Sequence, residues 1–368
     1  MHASPLFVLT VLMFSTVVLS GLVLYKLPGL TRPDIYFSVT VKPDFRSSDI
    51  AREILSGYRR ETGIHSLIGI ALIVLAVRLK IPGALVAGVL WQVGGFFGAF
   101  LRARKKVMSY AVEPSALREA NLAPAKTKLP GGWLGQAVPF VILIATGFWL
   151  RLHWNEIPDK FPVHWGLDGR PNGWASRTTA GVYGPLLMGA AICSGLLLMN
   201  YAIAAFSRRV HARGAAAGRE LRFRHIMLSI MLGSEYFVAL LTAWVGLLPF
   251  RSAQSGPSPA PVLLGTLALS ATITYVVIRT GQGGTRLWGA DPSGVGSAAE
   301  VSPIGDRTPD RYWKAGMFYV NPDDPAIMVE ARFGVGYTLN LGRPLSWVIL
   351  VLLAVTPIVL ALLARFLH

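Results

Sequence analysis

Eight stretches of this chain are apolar over the length that a lipid bilayer demands, and no other feature constrains the fold as much. They run over 5–25, 64–79, 82–101, 134–152, 180–206, 226–249, 260–278 and 346–367. A helix needs about 20 apolar residues to cross ~30 Å of hydrocarbon, and in lipid the backbone must satisfy its own polar groups. The second stretch is short and ends at Arg78 and Lys80, whose side chains would have to reach out to the headgroups. Of the 368 residues, 53% are hydrophobic and only 15% are charged, whereas soluble domains carry about 25% charge. The fold class that follows is mainly α: a polytopic α-helical membrane protein of about eight transmembrane helices, with the lipid bilayer as its first partner. The first stretch follows Met1, His2, Ala3 and Ser4, without a positive leader or a small-residue cleavage site. It is expected to be a retained helix rather than a signal peptide.

The net charge of +16 would suggest nucleic acid in a soluble protein. Here its distribution gives another reason. The loops after the first, third, fifth and seventh stretches hold 27 of the 35 Lys and Arg residues, and the remaining loops and tail hold 8. Cytoplasmic loops of membrane proteins collect Lys and Arg. This rule predicts those four loops inside, both termini outside, and the loop between the fourth and fifth stretches outside. No nucleic-acid partner is expected. The run RARKK, Arg102 to Lys106, reads first as an orientation signal. The single cysteine, Cys193, sits in an apolar stretch, which excludes a disulfide and a CxxC site.

The basic loops carry structure of their own. In DIYFSVTV the residues Ile35, Phe37, Val39 and Val41 alternate with polar ones, a strand pattern. Ser48 and Asp49 are good caps for a following amphipathic helix with Ile50, Ile54 and Tyr58 on one side, expected to lie on the membrane surface. Residues 107–130 read as a polar linker with a short helix, and 280–303 as a flexible Gly, Ser and Ala linker. Beyond it, 317–320, 327–329 and 336–340 are β-prone, with NPDDP as a turn signal. Three such strands are marginal alone. A mixed sheet with the strand at 35–41 is expected, making a small cytoplasmic β-rich element.

The chain lacks HExxH, GxSxG and GxxxxGK[ST], so neither an enzyme nor a cofactor is expected. Gly94 and Gly98 form a GxxxG pattern that suggests close helix packing. Glu235 is the one clear acid inside a membrane stretch. Such a residue either has a structural partner or serves a proton or solute path. The loop 153–177 contains KFPVHWGLDGRPNGWASR. Asp168-Gly169 and Pro171-Asn172-Gly173 are turn signals, with Asn-Gly favouring a tight hairpin turn. An ordered, aromatic-rich loop suits recognition, with His164, Trp165, Asp168, Gly169, Asn172, Gly173 and Trp174 as the ligand-binding candidates. The bland reading is a plain cap on a helical hairpin, with Trp149 and Trp154 as an aromatic belt. A metal enzyme using His153, His164 and Asp168 is a weaker alternative, because their spacing is no known ligand spacing.

Ile157-Pro158, Phe161 to Trp165, Gly169 to Gly173 and Ser176-Arg177 resemble the loop of a membrane domain of unknown function found in bacterial Sdp-type immunity proteins. Gly166, Asn172 and Arg177 stand where that loop usually has Asn, Asp and Lys. Trp313, Gly316, Phe318 to Pro322, Asp324-Pro325, Arg332, Gly334, Gly336 and Thr338 to Asn340 look like a second domain of unknown function that often follows the first. Phe37, Val39 and Phe45-Arg46 look like the usual start of such proteins. The resemblance implies a multi-pass protein of the bacterial inner membrane that senses, or protects against, a membrane-active peptide or envelope ligand, with a membrane or cytoplasmic protein partner. Small-solute or proton-coupled transport through Glu235 is the alternative. The expected organisation is 1–133, a three-helix region; 134–206, the immunity-like helix-loop-helix; 207–279, two helices; 280–305, a linker; 306–345, the β-rich domain; and 346–368, a last helix.

Overall fold

The computed structural model describes residues 5–79, 81–114, 127–165, 170–207, 214–250, 260–287, 305–306 and 308–366. The chain runs α1 (Pro5–Lys26), β1 (Ile35–Tyr36), β2 (Val39–Thr40), α2 (Asp49–Arg78), α3 (Leu85–Val107) and α4 (Gly132–Leu152). It continues through β3 (Lys160–Trp165), β4 (Pro171–Ser176), α5 (Thr179–Phe206), α6 (Gly214–Gly246) and α7 (Ala260–Thr280). It ends with β5 (Trp313–Lys314), β6 (Phe318–Tyr319), β7 (Met328–Glu330), β8 (Tyr337–Leu339) and α8 (Pro344–Phe366). Among the described residues seven helices are long and apolar enough to cross a membrane, and α8 is an eighth apolar helix of 23 residues. The eight expected stretches are therefore eight helices of a polytopic α-helical protein.

The short second stretch has a simple explanation. The expected surface helix and the span after it are one helix, α2, of 30 residues. Ser48 caps it, its hydroxyl accepting from the Ala51 N–H at 3.1 Å. The surface-lying reading is overturned, because Ile54 and Tyr58 face a core rather than lipid while Ile50 is exposed. Packing of α2 on α3 depends on glycines, but not those of the GxxxG pattern. A Cβ on Gly69 would lie 2.7 Å from the Gly88 carbonyl oxygen, and one on Gly95 would meet the His65 ring. Gly94 touches nothing across the interface, and Gly98 meets only Arg102 of its own helix. Gln92 of α3, fully buried, donates to Val17 O of α1 at 2.8 Å and to Ser66 Oγ of α2 at 2.9 Å. One amide thus ties three helices together.

At the end of the bundle where α1 finishes and α2 begins, the strand pattern resolves differently from expectation. Residues 35–40 form a two-residue hairpin, not one strand, because Phe37 and Ser38 both take positive φ. That is the backbone of a tight hairpin turn without the glycine or asparagine that usually marks one. Such a conformation is strained for a bulky residue. Arg104 holds it, donating to the Phe37 and Ser38 carbonyls, while the Phe37 ring packs on Tyr58 at 5.0 Å. The RARKK run is therefore more than a topogenic signal.

The expected mixed sheet does not form: the strands make four separate two-stranded hairpins. What joins the first hairpin to the C-terminal segment is Arg332, whose side chain is 0% exposed. Its Nε and Nη2 donate to the two Asp306 carboxylate oxygens at 2.9 and 2.8 Å, and Nη1 donates to Asp310. Nη2 also reaches Thr40 Oγ1 at 3.1 Å, and the guanidinium lies 5.4 Å from the Trp313 ring centre. Asp310 in turn accepts from Thr40 N at 3.0 Å. Gly281 to Leu287, expected in a flexible linker, pack here as well. Gln282 is buried and bonds Leu30, Arg32 and Ala331. Within 107–130, Met108–Tyr110 form a single 3-10 turn that extends α3, and 115–126, like 288–304 of the second linker, lie outside the described residues.

Burial alone would raise the Asp306 carboxyl, but the Arg332 charge on both its oxygens prevails and holds it well below the usual carboxylate range. A carboxylate depressed in the folded state stabilises above its unfolded value, about 3.9, and loses that contribution as pH falls below it. Thermal unfolding of the detergent-solubilised chain should therefore show stability declining as pH falls below about 4. Arg332→Met strands two acids and should cost about 3–5 kcal/mol at neutral pH, with part regained on acidification as they protonate. A variant that melts with the wild type at neutral pH would show that this cluster does not hold the ends together.

Candidate functional site

Helices α4 and α5 are joined by the loop singled out in the sequence, at the opposite end of the bundle from Arg332. The loop is a hairpin of β3 and β4, pairing Lys160 with Ser176, Phe161 with Ala175, Pro162 with Trp174, His164 with Gly173 and Trp165 with Pro171. Asn172-Gly173, whose chemistry predicts the turn, lies instead within β4. Asp168 and Gly169, the other turn signal, lie outside the described residues. The register shifts twice, so Val163 on one strand and Asn172 on the other have no partner opposite. Bulges of this kind re-aim side chains. Gly173 is required here, because a Cβ at that position would lie 2.8 Å from His164 Cβ.

One side of the hairpin is anchored. Ile157 and Phe161 are buried in a core with Leu143 and Leu150 of α4, Val182, Leu186 and Cys193 of α5, and Ala239 and Ala243 of α6. Arg177 closes its base, donating from its backbone to Asp159 O at 2.9 Å and from Nη2 to the Asp159 carboxylate at 2.5 Å. Trp154 stacks on Tyr183 at 6.0 Å. The other side is open: Val163, His164, Asn172 and Trp174 are exposed, with Trp174 at 53%. His164 Nδ1 hydrogen-bonds Asn172 Oδ1. The backbone of Trp165 pairs within the hairpin, while its side chain lies outside the described residues.

The metal alternative gains nothing from this geometry. His153 stacks on Trp149 at 4.1 Å with Nδ1 toward the Trp149 carbonyl at 2.9 Å. His164 is engaged by Asn172 and Asp159 by Arg177. Among the described residues no three His, Cys, Asp or Glu come together as metal ligands.

Below the hairpin core, between α4, α5 and α6, lies a polar cluster around Glu235, which is 0% exposed. Asn200, also fully buried, donates to Glu235 Oε1 at 3.1 Å and to Gln136 Oε1 at 3.5 Å. Gln136 donates to Pro130 O at 3.0 Å, at the start of α4. Glu235 Oε2 and Asn200 Oδ1 are buried without a partner among the described residues. Two lone oxygens this deep are costly unless a proton or water satisfies them. Glu235 stands out in the sequence by its charge, whereas Asn200 and Gln136 do not. Their signal was a single amide within an otherwise apolar run.

Residues 140–189 match a domain of unknown function (DUF1648), and residues 322–347 match a family of unknown function (DUF5808). The first match contains the hairpin with the end of α4 and the start of α5. The second contains Arg332, Pro322 to Pro325 of the NPDDP turn and the start of α8. No curated protein and no solved structure matches the chain.

The bulge geometry has a direct consequence. Gly173→Ala should loosen the hairpin by about 1–3 kcal/mol, as overpacking does. Hydrogen exchange should then rise across residues 160–176 while the helices keep their protection. Unchanged exchange there would mean that His164 yields without cost.

Proposed function

We propose that this chain is a non-enzymatic protein of the bacterial inner membrane that senses, or protects against, a membrane-active peptide or another envelope ligand through the hairpin at 153–177. The observation that carries this reading is a stiff hairpin with one buried and one open side. Phe161 and Ile157 root it in the helical core, while Val163, His164, Asn172 and Trp174 are exposed. Neither β3 nor β4 has a further strand beside it, so an extended peptide can add along an edge with its backbone, and Trp174 can supply contact area. The likeness to Sdp-type immunity loops supports the same ligand class. The concentration of 27 of 35 Lys and Arg in the sequence of the loops after the first, third, fifth and seventh apolar stretches supports an outward-facing hairpin. The shared core of α4, α5 and α6 would carry the bound state toward the Arg332 end and a partner there.

A strain depending on this protein, challenged with the peptide, should lose protection or response when Trp174 and His164 are both changed to Ala, with the protein still inserted. In a Cys193→Ala background, an impermeant thiol reagent on intact cells should label Arg170→Cys and spare Lys314→Cys. Full activity in the double variant, or the reverse labelling, removes this reading.

One observation favours a second reading, proton-coupled movement of a small solute. The unpartnered Glu235 Oε2 sits in a chain of buried amides that ends at Pro130 O, at the first turn of α4. In reconstituted vesicles Glu235→Gln would then abolish proton-linked flux, a loss of at least about tenfold for a group that must titrate. If flux is absent from the wild type, or the Gln variant behaves as the wild type, Glu235 is a structural acid.

A further inference from the structure

Where α1 ends and α2 begins, the two helices enclose a groove of about 500 Å³ lined by Tyr25, Arg52, Leu55, Ser56, Arg59 and Arg60. Ser56, Arg59 and Arg60 follow Arg52 by four, seven and eight positions, so they lie along one stripe of α2. The charges on that face are unequal in their partners. Arg52 pairs with Asp49 at 2.6 Å. Arg59 and Arg60 have no carboxylate partner among the described residues. The Arg59 guanidinium lies over the Tyr25 ring at 4.9 Å, and its Nε is buried with no hydrogen-bond partner among the described residues.

Other arginines at this end turn inward. Arg46 bonds the carbonyls of Pro28, Arg32 and Ile35, Arg104 those of Phe37 and Ser38, and Arg332 two acids. Arg59 and Arg60 are left beside a hollow, and a guanidinium fork matches phosphate oxygens. Depth narrows the choice further. A 30-residue helix is about 45 Å long, against ~30 Å of hydrocarbon. The apolar part of α2 begins at Ile64, which leaves Arg52 to Arg60 in the headgroup layer, where Tyr25 also belongs.

We propose that this groove binds a phosphate-bearing anion, supplied by the headgroup of an anionic phospholipid. Arg59 and Arg60 hold the phosphate, and Tyr25 and Leu55 lie along the less polar part of the lipid. Free phosphate would use the same donors.

The test uses the full chain in detergent, offered equal phosphatidylglycerol and phosphatidylcholine, with retained lipid counted by native mass spectrometry. The wild type should keep phosphatidylglycerol in preference. Arg59→Gln and Arg60→Gln should each reduce that preference about fivefold, the effect of one basic residue at an anionic surface. Lys105→Gln, which removes an equal charge from an exposed site at the same end, should leave it unchanged. Displacement of the lipid by millimolar inorganic phosphate would assign the site to free phosphate, and persistence would assign it to the lipid. No preference in the wild type, or an equal loss in Lys105→Gln, overturns the proposal.

Discussion

The buried guanidinium of Arg332 is the interaction on which the non-membrane part of this protein depends. None of the short hairpins could stand alone, since two strands of two or three residues bury too little. Arg332 gathers Asp306, Asp310, Thr40 and Ser38 around one charge, so two weak hairpins nearly 300 residues apart become parts of one unit. A buried ion pair is often no more stabilising than apolar packing. Its value here is specificity, because only one arrangement satisfies five donors on a planar fork. The strain at Phe37 and Ser38 is tolerated within that arrangement, under the donors of Arg104.

The membrane part follows another rule. Apolar surface does little to choose partners among helices in lipid, so small residues and buried amides do so. Gly69 and Gly88 bring α2 and α3 into backbone contact, and Gln92 adds α1. In the second group of helices Gln136, Asn200 and Glu235 join α4, α5 and α6 in the same way, but leave two oxygens unsatisfied. That contrast between a closed network and an open one is why Gln92 reads as architecture and Glu235 as a site.

The sequence revealed the helices well, because length and hydropathy report directly on the bilayer. It revealed an ordered, turn-rich loop at 153–177 but neither its two strands nor their register. Asn172-Gly173 has the chemistry of a turn, and tertiary packing against His164 used the glycine for closeness instead. The turn at Phe37-Ser38 was invisible, since its backbone is held by arginines distant in sequence and not by its own residue types. Arg332 looked like one charge among many in a basic loop. Nothing local distinguishes a cation that will be buried from one that stays in water. For the same reason the inventory of Lys and Arg predicted alternation of the loops but could not separate topogenic charge from structural charge.

The Arg332 cluster also bears on how the protein is made. A ribosome releases the first hairpin long before the segment that completes it, and during that interval the tense turn at Phe37 and Ser38 lacks half its supports. Six further helices must be inserted before Asp306, Asp310 and Arg332 emerge. The molecule therefore closes on itself only when synthesis has nearly finished. A shortened product would leave the Phe96 and Phe100 rings without Phe333, which packs on both, a ready mark for the proteases that clear incomplete membrane proteins.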